Sequence, residues 1–136
     1  TTLTRLALGY GEPFNDEMVI ADLSGPQPLL RSTPFLGFGT PPELRTRVNR
    51  VYPLSLLLFL AHGADFALQP LASSEAIWQL LRTGIAAVDR PANSARWMAL
   101  AGELLQRVPV YRLSFLPTTD VWAFLARALK DSSCAF

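Results

Sequence analysis

The sequence contains few of the residues from which many catalytic and metal sites are built. Its 136 residues include one cysteine, Cys134, and one histidine, His62. A single cysteine near the end of the chain supports neither a disulfide framework nor a thiolate metal cluster. It indicates a reducing compartment, for which we expect the cytoplasm. A lone histidine is more often a structural group than a metal ligand, and without a G-x-S-x-G motif a Ser-His-Asp hydrolase has no support.

The sequence also lacks an excess of charge of one sign and a long apolar run. Twelve basic and eleven acidic residues give a net charge of +1 without a block of like charge, which disfavours nucleic acid as a partner. The longest apolar run, residues 54–61, is interrupted by Ser55 and is far shorter than the roughly 20 residues of a transmembrane helix. No G-x-G-x-x-G motif supports dinucleotide binding. We therefore expect neither a membrane nor a nucleic acid as a partner.

Apolar residues, in contrast, make up 50% of the sequence. A chain of this length and composition forms one domain, residues 1–136, and buries about two thirds of its unfolded surface. The hydrophobic periodicity predicts an α/β domain with a mixed central sheet and helices packed on it. Strands are expected at 18–21, 29–33, 54–61, 65–70 and 110–115. The first two form a hairpin around the turn 23–28, the third and fourth pair with each other, and the last buries one face with Tyr111, Leu113 and Phe115. Helices are expected at 1–9, from Ser73 or Ser74 to Gly84, after the loop 86–94, and after Thr118 or Thr119.

Adjacent carboxylates, Asp16 and Glu17, stand immediately before an apolar run, residues 18–21. Pro13 excludes a helix before them, and the continuous apolar run predicts a strand buried on both faces, as in a mostly parallel sheet. Two carboxylates at a strand end can hold a hard cation, or one can bind metal while the other takes a proton. A solvated turn or a charged strand end is the structural alternative, since short motifs are weak signals.

The start of the chain gives the acidic pair a context. A short helix that opens with a polar Thr pair and leads to an acidic strand is the arrangement that follows the phosphate loop G-x-x-x-x-G-K-[ST]. The glycines and the lysine of that loop are absent here, and the only lysine, Lys130, lies too far along the chain to replace it. If Thr1 is the hydroxyl residue of the loop, the chain begins one residue after the lysine of a longer protein.

A segment rich in glycine and proline, residues 34–42, is the best candidate for a functional loop. Arg31, Arg45, Arg47 and Arg50 surround it. Arginines near a phosphoryl-transfer site bind phosphates through bidentate contacts, which makes Arg31, Arg47 and Arg50 candidate phosphate or substrate contacts. A solvated basic face around a surface loop is the alternative and the more common arrangement.

Four segments carry a resemblance to a known family: 1–8 (TTLTRLAL), 15–19 (NDEMV), 32–37 (STPFLG) and 108–113 (VPVYRL). In this order they resemble the HPr kinase/phosphorylase-like family of P-loop kinases, which share a fold with phosphoenolpyruvate carboxykinase. The resemblance covers most of the chain, is most specific over residues 1–40 and is loose over residues 74–108. It implies one kinase domain that lacks its N-terminal strand and its phosphate loop.

The resemblance also implies roles for residues near the start of the chain. Asp16 matches the family's general base toward the acceptor hydroxyl. Glu17 matches the aspartate that helps to hold Mg²⁺, although a glutamate departs from the family pattern and reaches one methylene further. Thr1 matches the Mg²⁺-binding hydroxyl, and Thr2 would lie close to the phosphates of ATP.

The implied activity is ATP-dependent, Mg²⁺-assisted phosphoryl transfer to a hydroxyl of a protein, a peptide or a small molecule. Because the phosphate loop supplies most of the grip on the triphosphate, we expect this chain alone to be inactive and to bind ATP weakly. The alternative is a non-catalytic binding or scaffold domain that keeps the kinase fold. The identity of the acceptor and a homo-oligomeric assembly stay open at this point.

Overall fold

The computed structural model describes residues 2–7, 9–13, 15–35, 37, 49–83 and 91–133. Ten elements follow one another along these residues: α1 (Thr2–Leu6), β1 (Val19–Asp22), β2 (Leu29–Ser32), β3 (Val51–Pro53), β4 (Leu57–His62), β5 (Ala67–Pro70), α2 (Ser73–Thr83), α3 (Pro91–Arg107), β6 (Val110–Phe115) and α4 (Asp120–Ser133). None of the helices in the described ranges has the length together with the hydropathy that crossing a lipid bilayer requires.

The described strands form two small sheets. β1, β2 and β3 make an antiparallel sheet in that order, and β4, β6 and β5 make a mixed sheet with β6 in the middle. β4 runs parallel to β6, whereas β5 runs antiparallel to it. The predicted α/β class is therefore confirmed, but the described strands divide into two three-stranded sheets where one central sheet was expected.

The acidic strand differs most from its prediction. β1 is an edge strand of the antiparallel sheet, and Val19 and Ile20 are 42% and 53% exposed. The expectation that residues 18–21 are buried on both faces is therefore wrong. A short apolar run has no periodicity that separates a central strand from an edge strand, so tertiary pairing decides. The predicted hairpin is confirmed, because β1 pairs with β2 in the register Val19 to Ser32.

The apolar run 54–61 and the strand after it also differ from their predictions. Leu54 lies outside both neighbouring strands, and its amide donates to the Pro28 carbonyl at 2.9 Å, so that β4 begins only at Leu57. β5 does not pair with β4, because the chain returns through α2 and α3 and inserts β6 between them. β6 buries Leu113 fully, which explains its central position.

Two apolar clusters hold the helices on the sheets. One joins the β6 residues Leu113 and Phe115 to Val121 and Leu125 of α4, with Leu3 of α1 packed against it. The other consists of Leu54, Leu104 and Val108, and it receives side chains from both sheets.

The helix starts follow local sequence. α2 begins at Ser73, as predicted. α3 begins at Pro91, inside the segment 86–94 that was expected to be a loop, because proline suits the first turn of a helix, where its missing N–H leaves no hydrogen bond unmade. α4 begins at Asp120, directly after the predicted caps Thr118 and Thr119.

Candidate functional site

The loop before β1 is shaped by one asparagine. Asn15 Oδ1 accepts hydrogen bonds from the amides of Glu17 at 2.8 Å and Met18 at 3.0 Å. This is the Asx-turn arrangement, in which a side-chain oxygen takes the place of a backbone acceptor. Asn15 therefore fixes the backbone that carries Asp16 and Glu17.

The same asparagine fastens the loop to the chain that follows β2. Its Nδ2 donates to the carbonyls of Thr33 at 3.2 Å and Phe35 at 3.3 Å. The buried Thr33 hydroxyl donates to the Met18 carbonyl at 2.7 Å. Since each of these bonds spans at least 15 residues of sequence, they tie the acidic loop to Thr33 and Phe35 as one unit.

Gly37 lies against both carboxylates. Its amide donates to Asp16 Oδ1 at 3.3 Å. A Cβ added at Gly37 would lie 2.9 Å from Glu17 Oε2 and 3.2 Å from Asp16 Oδ2. The two carboxylates therefore converge on one point, and the close approach depends on the absence of a side chain at Gly37.

Asp16 and Glu17 line a cavity of about 880 Å³. Its walls come from α1, the loop 11–17, and the neighbouring strands β4 and β6 of the mixed sheet. The polar lining residues of α1 and the loop are Thr2, Thr4, Glu12, Asn15, Asp16 and Glu17, and the apolar lining residues of β4 and β6 are Leu58, Leu60, Ala61 and Phe115. Leu3, Ala7, Pro13, Val19 and Trp122 add further apolar surface. The volume is in the range of cavities that bind small molecules and cofactors.

The described residues that line this cavity carry a net negative charge. Glu12, Asp16 and Glu17 contribute carboxylates, and no Lys or Arg is among the described residues that line it. Glu12 also accepts a hydrogen bond from the Tyr52 hydroxyl at 2.9 Å, which fixes its side chain over β3. A polyphosphate would be repelled here unless a cation or basic groups from elsewhere offset the charge.

The predicted site residues divide into three groups. Thr2, Asp16 and Glu17 line the same cavity. Thr1 and Arg47 lie outside the described residues. Arg31 and Arg50 are exposed and are not among the residues lining the cavity.

Arg31 has a partner on the neighbouring strand. Its guanidinium contacts the Asp22 carboxylate at 2.8 Å. Hydrogen bonds from the Ser24 hydroxyl and amide, and then from Arg31, lower the pKa of Asp22 from 3.8 to about 2. Arg31 thus closes the β1–β2 hairpin in this structure.

Sequence reasoning missed three residues of the cavity region. Glu12 was passed over because a single carboxylate carries no spacing signal. His62 was interpreted as a structural group, yet it is exposed and lines the cavity. Gly37 was noticed only as a loop former, since its contact with the acidic pair spans more than 20 residues of sequence.

A Mg²⁺ ion fits the chemistry of the acidic pair. Mg²⁺ prefers oxygen ligands, keeps several waters, and is bound in kinases by one or two carboxylates together with substrate phosphates. The Glu17 carboxylate, which lies beside that of Asp16 over Gly37, offers an oxygen ligand of this kind, with Thr2 on the same cavity. Across the described residues, no group of three or more His, Cys, Asp or Glu side chains could form an all-protein metal site.

Comparisons with protein-family models, curated proteins and solved structures found no match to this chain. The feature of the described residues that bears most directly on function is that Thr2, Asp16 and Glu17 share one cavity.

Proposed function

We propose that this chain is the larger part of a kinase domain that, in a longer protein, transfers a phosphoryl group from Mg²⁺-ATP to a hydroxyl. The observation that carries the proposal is the convergence of Asp16, Glu17 and Thr2 on one cavity of about 880 Å³. Thr2 lies on α1, and the two carboxylates lie on the loop that follows this helix. Phosphoryl transfer depends mainly on positioning and charge neutralisation, which such a cavity can supply.

Each of these residues has a role in the proposal. Glu17 and Thr1, the latter outside the described residues, would be the protein ligands of the metal, and the Thr2 hydroxyl would lie close to the phosphates. The metal, when bound, would neutralise charge on the phosphates. Asp16 orients the acceptor hydroxyl and takes its proton at Oδ1. Asp16 Oδ1 already accepts from the Gly37 amide at 3.3 Å, and a carboxylate oxygen has capacity for a second hydrogen bond.

The groups that bind the triphosphate have to come from another segment. Three carboxylates and no arginine or lysine line the described cavity. In the proposal, a phosphate loop preceding Thr1 brings its lysine and its backbone amides to the open side of the cavity. The chain as given should then bind ATP too weakly to detect, and an affinity of about 1 mM or better would contradict this part.

The test is Mg²⁺-ATP binding by calorimetry to a version extended upstream by its preceding coding segment. Glu17→Gln should weaken binding at least tenfold, because it removes a metal ligand. Asp16→Asn should leave binding nearly unchanged and abolish turnover, because it removes the proton acceptor. Asp65→Asn, an exposed carboxylate not lining the cavity, is the matched control.

A second candidate is a non-catalytic binding or scaffold domain. Exposed apolar side chains favour it, since Ile20 on the edge strand β1 is 53% exposed and Trp78 on α2 is 68% exposed. Such residues are typical of protein contact surfaces. An upstream segment without G-x-x-x-x-G-K, together with no effect of Glu17→Gln, would favour this candidate over the kinase.

A further inference from the structure

Strand β4 forms a largely apolar wall of the cavity, and its side chains Leu58, Leu60 and His62 are called the shelf below. Leu58, Leu60 and His62 alternate along the strand and therefore point to the same face, and all three line the cavity. Leu60 is 52% exposed, which is unusual for a leucine in the interior of a strand. An apolar surface left open inside a concave site is where a ligand gains most from burial.

His62 adds a flat aromatic surface to this shelf. Its ring stacks on the Phe115 ring with centroids 5.9 Å apart and planes at 28°. Phe115 is buried, being 4% exposed, whereas His62 is exposed and lines the cavity. The ring pair is thus anchored on the core side and presents imidazole to the cavity.

The shelf and the acidic pair belong to the same cavity. The carboxylates of Asp16 and Glu17 provide its charged part, and the shelf provides an apolar part on a different element. A nucleotide has the same division, since its phosphates need a cation and its base is a planar aromatic ring whose faces stack on apolar and aromatic side chains. The cavity therefore offers complementary chemistry to both halves of one molecule.

We infer that the shelf of Leu58, Leu60 and His62 binds the purine ring of the nucleotide. The inference rests on the proposed function for the identity of the ligand. The ring packs on Leu60 and stacks on His62, which continues the stack that His62 makes with Phe115. Because the neighbours of His62 on the shelf are leucines, recognition is by stacking, and adenosine and guanosine should bind alike.

The test uses the chain as it stands and adenosine, which carries no phosphate and needs no metal. His62 is the only histidine, so its imidazole protons give one resolved reporter in NMR spectra. Adenosine should shift these resonances in a saturable way. Ribose 5-phosphate, which has no ring to stack, should leave them in place.

Leu60→Ser provides the decisive variant. It should weaken adenosine binding about tenfold, since it removes the apolar side chain on which the ring packs and leaves a polar hydroxyl in its place. Because Leu60 is half exposed, the variant should fold, and Leu60→Ala serves as a second, milder truncation. Trp78→Ala removes an exposed aromatic residue not lining the cavity and should bind adenosine like the parent chain.

Two results would overturn the inference: a His62 signal that does not respond to adenosine, or a response that is equal in the parent chain and in Leu60→Ser. Failure of the proposed function looks different. In that case the shelf binds adenosine, but Glu17→Gln has no effect on Mg²⁺-ATP binding in the extended protein. If the extended protein binds Mg²⁺-ATP but the His62 resonances do not respond to adenosine, the kinase proposal stands and the base binds elsewhere.

Discussion

Replacing Gly37 by alanine should separate the two carboxylates while leaving the fold intact. The new Cβ would lie 2.9 Å from Glu17 Oε2 and 3.2 Å from Asp16 Oδ2. Ordinary contacts between nonbonded heavy atoms begin near 3.5 Å, so the Glu17 carboxylate has to move by roughly half an ångström or more. Glu17 is exposed and has a flexible side chain, which makes this movement cheap.

The expected magnitudes follow from that geometry. Alanine restricts the unfolded chain and thereby favours folding by about 0.4–1 kcal/mol, which offsets the cost of displacing Glu17. We expect the free energy of unfolding to change by less than about 1 kcal/mol. Metal sites tolerate shifts of only a few tenths of an ångström, and disturbing the support of a ligand typically lowers metal affinity about 10- to 100-fold.

Mn²⁺ is a suitable probe because it takes oxygen ligands as Mg²⁺ does. The concentration of free Mn²⁺ can be measured directly by electron paramagnetic resonance. The parent chain and Gly37→Ala would be titrated with Mn²⁺, and their unfolding followed in urea. Gly25→Ala is the matched control, since its Cβ would meet only the Gln27 carbonyl at 3.9 Å. Equal Mn²⁺ affinity in the parent and in Gly37→Ala would refute the reasoning, as would a parent chain that does not bind Mn²⁺.

Three further predictions concern the elements around the site. Asn15→Ala should lower the free energy of unfolding by about 1–3 kcal/mol, because four hydrogen bonds lose their partner. Asn15→Asp keeps the two acceptor bonds and should cost less, and urea denaturation that ranks the two variants in the opposite order would contradict the Asx-turn assignment. Leu113→Ala should lower the free energy of unfolding by about 2–5 kcal/mol, because Leu113 is fully buried in β6. Leu116→Ala, at a residue 38% exposed, is its control and should cost clearly less in calorimetric melting. For Asp22, whose pKa falls from 3.8 to about 2, the folded state binds protons less readily than the unfolded state. Its contribution to stability is therefore fully present above about pH 4 and is lost as the pH falls toward 2. Ser24→Ala should move the pKa of Asp22 back toward 3.8 in a carboxylate NMR titration, and an unchanged pKa would rule out Ser24 as the main cause.

Local elements could be predicted because their signals lie within a few residues. The helix α2 begins at the predicted Ser73 because a capping residue and an apolar stripe occur together there. The β1–β2 hairpin was predicted from a turn rich in glycine and proline between two short apolar runs. The strand β6 was predicted from alternation, and its buried Leu113 and Phe115 confirm the expected inward face.

Sheet membership could not be predicted, because it depends on contacts between distant segments. An apolar run such as residues 54–61 is compatible with a strand or with the end of one, and only tertiary pairing separates Leu54 from β4. The place of β6 between β4 and β5 depends on the return of the chain through two helices. The exposure of β1 likewise follows from its position at a sheet edge.

For the candidate site, the sequence by itself determined the chemistry, namely two adjacent carboxylates after a short helix with a Thr pair and no phosphate-loop lysine. The tertiary structure decided the geometry. It brought Gly37 against Asp16 and Glu17, and it placed His62 on the same cavity as the acidic pair. Local sequence sets dihedral preferences and hydrogen-bonding capacity over a few residues. Which distant groups share a cavity is decided by the packing of the whole chain, because only burial of the common core brings them together.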